Sequence, residues 1–232
     1  MKKLLLFTLV LLTSLSFGQK KNKNITPPPV NTDSIVFHTA LNVGDTATAI
    51  QSLYQINAKN QNNIDNLYLL ASLYFQRKKY DQCTNVCNMI LNIDNKHLKT
   101  LQLLAVCFQQ DDNASGAVLV YNKLDSIEPK AFNKYQIATI MYEKKKFQEA
   151  LIYLGSIISD TLSAPETMNM TFQNNNKQYV SQNVSTKAAA YNMAGYILMS
   201  NGDMDRSKMF FQKALEIQPD FQLAKGNLLS LE

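Results

Sequence analysis

A chain of 232 residues with 46% hydrophobic and 18% charged side chains lies in the globular range, which excludes a disordered or fibrous protein. Seven glycines, six prolines and no tryptophan favour helix, because glycine and proline are the residues that most penalise helix interiors. The formal net charge of +5 draws on N-terminal lysines, namely Lys2, Lys3, Lys20, Lys21 and Lys23, and leaves the remainder near balance. With no basic stripe on the part that folds, no nucleic-acid partner is expected.

In chain order, residues 1–18 read as a secretory signal peptide. Lys2 and Lys3 form the basic start, Leu4 to Leu12 is apolar except for Thr8, and Ser16-Phe17-Gly18 supplies small residues before a cut after Gly18. The apolar run is short for a membrane span, and no later run reaches that length, so no transmembrane segment is expected in the mature chain. No cysteine lies near the cut, so no lipid anchor is expected. The expected location is therefore exported, periplasmic or secreted, with association to the envelope as a further expectation. Residues 19–29 read as a flexible leader, basic at first and ending in Pro27-Pro28-Pro29.

Beyond the leader one rhythm recurs. The small or packing residues Ala49, Cys83, Ala117, Ala150 and Ser207 are spaced by 34, 34, 33 and 57 positions. Ile56, Ile90, Leu124, Ile157 and Ala214 repeat the same intervals, and Ala71, Ala105, Ala138 and Gly195 give 34, 33 and 57. Between these marks the apolar residues follow a helical period. Short polar turns interrupt them: Gly44-Asp45, Arg77-Lys78-Lys79, Asp111-Asp112-Asn113, Lys144-Lys145-Lys146 and Gly202-Asp203. The clearest unit is the last, Ala188 to Phe221, closed by Pro219, which cannot continue a helix.

This pattern resembles the tetratricopeptide repeat (TPR), a helix–turn–helix unit of 34 residues. The resemblance implies an all-α, right-handed TPR solenoid with a C-terminal capping helix. Residues 30–159 hold repeats 1–4, the first degenerate. Residues 188–221 hold repeat 5, and residues 222–232 form the cap. The 57-residue interval marks an insertion over residues 160–187. It carries Pro165 and Asn174-Asn175-Asn176, has no sustained helical period and reads as a polar loop. Met168, Met170, Phe172 and Tyr179 give it apolar anchors, so docking on the helices and full disorder both stay open.

No catalytic, cofactor-binding or metal-ligating constellation is recognisable. His38 and His97 lack partners at diagnostic spacing, and no Gly-rich phosphate loop, GxSxG or HExxH occurs. The expectation is no enzyme and no cofactor. Cys83, Cys87 and Cys107 fall at packing positions of the repeats. Core thiols, a disulfide and metal or redox chemistry remain open for them, with Cys87–Cys107 the expected pair if a disulfide forms.

The TPR resemblance further implies a concave groove lined by the first helices, which holds an extended peptide or a partner helix. In this chain the groove positions are Tyr68, Ser72 and Phe75, then Gln102, Val106 and Gln109, then Tyr135, Thr139 and Tyr142, then Asn192, Tyr196 and Met199. The trough is aromatic and amide-rich. Some family members clamp a C-terminal carboxylate with Lys, Arg and Asn along the groove, whereas the positions here are mostly Tyr, Gln and Ser, so a clamp of that type is not expected. The function implied is a scaffold or adaptor for a protein or peptide. The alternative is a structural subunit of a larger envelope assembly that packs through the convex face or the cap.

Overall fold

The computed structural model describes residues 32–161, 165–173 and 178–231. The expected signal peptide, the expected leader and the Asn174-Asn175-Asn176 run lie outside the described residues. Among those described are eleven α-helices and one two-stranded antiparallel sheet, a TPR-like helical solenoid. None of the helices is long and apolar enough to cross a membrane.

The helices are α1 (Thr32–Asn42), α2 (Thr46–Lys59), α3 (Ile64–Gln76), α4 (Tyr80–Ile93), α5 (Leu98–Gln110), α6 (Ala114–Ile127), α7 (Ala131–Glu143), α8 (Phe147–Ser159), α9 (Thr186–Ser200), α10 (Met204–Ile217) and α11 (Gln222–Leu229). Odd-numbered helices α1 to α9 are the first helices of the repeats, and even-numbered ones are the second. Between α8 and α9 lie strands β1 (Thr167–Gln173) and β2 (Tyr179–Ser185). Several helices start on side-chain caps: Asp45, Asn63 and Asp203 accept from the backbone N–H three residues on.

The turn inside each repeat has one backbone solution. Gly44, Lys78, Asp112, Lys145 and Gly202 all have positive φ, between 56° and 83°. They recur at the same 34, 34, 33 and 57 intervals as the packing residues. The N–H of the following residue donates back across the turn, from Asp45 to Ala40, Lys79 to Tyr74, Asn113 to Phe108, Lys146 to Met141 and Asp203 to Leu198, at 2.8–3.0 Å. This is the Schellman closure of a helix C-terminus. The left-handed conformation costs a residue with a Cβ about 1–2 kcal/mol. Lys78→Gly and Lys145→Gly are therefore expected to raise stability by about 1 kcal/mol each, seen as a higher urea midpoint. Gly202→Ala is expected to lower it by a similar amount. A Cβ there would meet nothing within 4 Å, so the loss reports backbone strain alone. Unchanged midpoints in all three variants would contradict this account.

The chain forms two compact units, one ending at Val120 and the other beginning at Tyr121, inside α6. In the first unit α1 packs on α2, α2 on α3, α3 on α4 and α4 on α5. Ala49, Ala71, Cys83 and Ala105 are fully buried where the helices meet, and Leu53, Leu67, Leu70, Ile90 and Leu101 fill the space around them. Each large aliphatic side chain buried in this way contributes about 1.5–3 kcal/mol.

In the second unit α7 packs on α8, α8 on α9, α9 on α10 and α10 on α11. The α9–α10 crossing is close. A Cβ on Gly195 would lie 2.9 Å from Phe211 Cε1, and Ser207 Oγ donates to the Gly195 carbonyl at 2.9 Å. Both small residues serve helix approach.

The insertion differs from the expected loop. Its strands pair in register, Met168 opposite Val184, Met170 opposite Gln182 and Phe172 opposite Val180. Met168, Met170, Phe172 and Val184 point inward and join one core with Ala138, Leu154, Ile157, Ala190, Ile197 and Phe221. Asn169, Tyr179, Ser181 and Asn183 stay exposed. The physical reason is the two-residue alternation of TMNMTFQ, which makes one face of an extended strand apolar. A segment with that pattern lacks a helical period and still has a face to bury.

Candidate partner-binding faces on the first helices

The expected groove positions divide into two sets with different surroundings. On α3, Tyr68 is half-buried with its ring edge-on to His97, centroids 6.2 Å apart, and burial raises its phenol pKa. The Ser72 hydroxyl donates to the Tyr68 carbonyl at 2.8 Å. Phe75 is half-buried against Tyr80, centroids 5.8 Å apart. On α5, Gln102 is exposed, and Val106 and Gln109 are half-exposed. Helices α3 and α5 are themselves in contact, and the two triplets hold the same repeat positions, 34 residues apart.

The second set is covered by the chain itself. On α7, Tyr135 is 2% exposed and Thr139 is buried; on α9, Asn192 is 4% exposed. The reading of Tyr135 and Asn192 as groove-surface residues is corrected accordingly. Strand β1 and helix α11 close over them. Met170, Phe172, Leu223 and Asn227 join Tyr135 and Asn192 around a small cavity of about 50 Å³. Asn227 Nδ2 donates to Asn192 Oδ1 at 2.9 Å, which satisfies a buried amide. Tyr142 and Tyr196, at the rim, stay half-exposed and meet edge to face at 6.0 Å. Partial burial and the adjoining Tyr196 push the Tyr142 phenol up to about 12. Met199 is half-exposed farther along α9.

Three polar residues hold the hairpin there. The Glu166 carboxylate accepts from the Ala131 and Phe132 backbone N–H groups at 3.0 and 3.1 Å, so the first turn of α7 is capped from the insertion. Gln218, just past α10, accepts from Ser185 N at 2.8 Å and donates to Asn183 O at 3.0 Å. Gln182 on β2 donates to Asp220 O at 2.8 Å and accepts from Gln222 N at 3.1 Å. Sequence reasoning missed Glu166, Gln182 and Gln218. Their partners lie 33 to 40 residues away, and no local spacing announces them.

Neither histidine joins a reactive group. His97 Nδ1 pairs with the Thr100 hydroxyl at 2.7 Å, and His38 stacks edge-on against Phe37. Among the described residues no three His, Cys, Asp or Glu side chains are grouped so as to hold a metal ion.

Comparison with known proteins gives repeat matches over part of the chain and a fold. Tetratricopeptide repeat models match residues 40–105 and residues 188–221. No curated protein matches the sequence. Among solved structures, the MamA protein of Desulfovibrio magneticus is 11% identical, over 82% of this chain and 95% of that one, with a TM-score of 0.57. The C-terminal part of a TPR repeat-containing protein from Cytophaga hutchinsonii is 14% identical, over 86% and 69%, with a TM-score of 0.61. YrrB, described as a TPR protein with an unusual peptide-binding site, is 12% identical, over 85% and 96%, with a TM-score of 0.55. At these identities the likeness is one of fold.

Proposed function

We propose that this chain, a tetratricopeptide repeat protein, is a non-catalytic scaffold of the cell envelope or exterior that holds an extended partner segment on the α3–α5 face of its first unit. Protein binding is the general role of the repeat; the face, the extended segment and the location are the proposal. One observation carries the choice of face. Two of the aromatic and amide positions on α7 and α9 are buried under the chain's own hairpin, whereas Tyr68, Phe75, Gln102, Val106 and Gln109 all keep exposed surface. Aromatic rings offer contact area at low entropic cost, and carboxamides can pair with both groups of a peptide bond. The export part of the proposal rests on the pattern of residues 1–18.

The test is selection of peptides on the purified chain, followed by Kd measurement for the best binder. A Gln102→Lys/Val106→Lys variant is expected to weaken it at least about tenfold, the scale of a modest interface hot spot. Tyr142→Ala is expected to leave it within about twofold. Equal binding by the wild type and the α5 variant would remove the reading.

The second reading is a structural subunit that packs through the outer helices. Ile152 on α8 is 71% exposed and Met209 on α10 is also exposed, at equivalent positions in their repeats. Single exposed apolar residues are common, so this reading is the weaker one. A stoichiometric large particle in native extracts, lost in Ile152→Lys/Met209→Lys, would favour it over the scaffold.

A further inference from the structure

We propose that Cys83 and Cys107 form a disulfide that ties α4 to α5, the second helix of one repeat to the first helix of the next. The three thiols of the chain converge at one buried point: Cys83, Cys87 and Cys107 are each 0% exposed. The Cys107 and Cys83 sulfurs are 2.9 Å apart, closer than ordinary side-chain packing at about 4 Å. A bond at about 2.05 Å needs only a small further approach. This pairing replaces Cys87–Cys107 of the sequence expectation. Both Cys83 and Cys87 lie on α4 four residues apart, and it is Cys83 that meets α5.

In the fold the Cys107 thiol donates to the Cys83 sulfur, so the pair that would be bonded is already in contact. The thiolate is the reactive form. The oxidant is a protein or small-molecule disulfide. The thiolate of one of the two cysteines attacks one of its sulfurs, forming a mixed disulfide and releasing one oxidant thiolate. The thiolate of the other then attacks the bound cysteine sulfur, which closes the Cys83–Cys107 bond and releases the second. The two thiol protons go to solvent, and the oxidant disulfide is reduced by two electrons. Because all three sulfurs are buried in the fold, the exchange belongs to folding, before α4 and α5 close. Cys87 stays reduced and serves as packing. The proposal is independent of which face binds a partner.

The full chain, unfolded in denaturant and reductant, is refolded into a buffer of oxidised and reduced glutathione, and a second sample is produced in an oxidising bacterial compartment. Both are alkylated in denaturant without reduction. The expected result is one alkylated cysteine, Cys87, and a Cys83–Cys107 cross-linked peptide in the map. Adding reductant is expected to lower the Tm by about 6–12 °C, from opening a loop whose ends are 24 residues apart. Cys87→Ala loses some packing but keeps the reductant-dependent step. Cys107→Ala removes a side chain of the same size and abolishes that step. Three alkylated cysteines in both samples, or a bond that includes Cys87, would overturn the assignment.

Discussion

Phe172→Ala is expected to lower the stability of the second unit by about 3–5 kcal/mol, and Met170→Ala by about 2–5 kcal/mol. Both side chains lie on β1, in the segment that composition marks as a polar loop, where truncation would ordinarily change stability by less than about 0.5 kcal/mol. The large value follows from where they point. Phe172 is 5% exposed and meets Phe221 edge-on, centroids 6.4 Å apart, and Met170 is closed in among Tyr135, Asn192 and Met193. Thr171 is the internal control. It points the other way, where its hydroxyl pairs with Ser181 at 2.8 Å in an exposed contact, and Thr171→Ala is expected to cost about 1 kcal/mol or less. Urea unfolding followed by helical circular dichroism reads all three. If Phe172→Ala and Thr171→Ala were equally mild, the hairpin would be an ornament and the α7–α9 face would be open. The expected ranking instead makes the hairpin a resident occupant of that face, which is why the proposed partner site is on α3 and α5.

How much of this was legible in the sequence depends on the range of the interaction. The 34-residue rhythm is written in small residues that must sit where helices cross, so Ala71, Ala105 and Gly195 announce their helices without any knowledge of the fold. The positive-φ turns are half legible. Gly44 and Gly202 are the expected residues, but Lys78, Asp112 and Lys145 adopt the same conformation and give no warning in their chemistry. The hairpin was legible in principle, through the alternation of Met168, Met170 and Phe172. A search for helical period alone passes over it. What no local pattern could supply is the cover on the second unit. Tyr135 and Asn192 occupy the same repeat slots as exposed residues elsewhere. Only the docking of β1 and α11, set by Glu166, Gln182 and Gln218 across 33 to 40 residues of chain, turns them into core. Register along a repeat is local information, and burial of a register position is not.

Tyr135 carries the other large expected effect, and it separates fold from binding. Tyr135→Ala is expected to cost about 3–5 kcal/mol, like other large aromatic-to-alanine changes in a core, so any loss of partner capture in that variant reports unfolding and not a lost contact. Tyr135→Phe keeps the ring and is the informative change, through pH. Burial pushes the Tyr135 phenol well above its ordinary value of 10, and the same cause raises Tyr121; at Tyr142 burial and the Tyr196 neighbour raise it to about 12. In the unfolded chain these phenols ionise near pH 10, while in the fold they hold their protons to higher pH. The stability tied to the neutral phenols is thus complete below about pH 10 and drains away as pH rises through the folded values. The wild type is expected to show an alkaline unfolding transition that begins just above pH 10. Tyr135→Phe, which cannot ionise, is expected to show a flatter decline there and near-wild-type stability at pH 7. The measurement is the urea midpoint at pH 7, 9, 10 and 11 for both proteins. Parallel curves would mean that the Tyr135 ring is hydrated, contrary to its place beneath Met170 and Phe172.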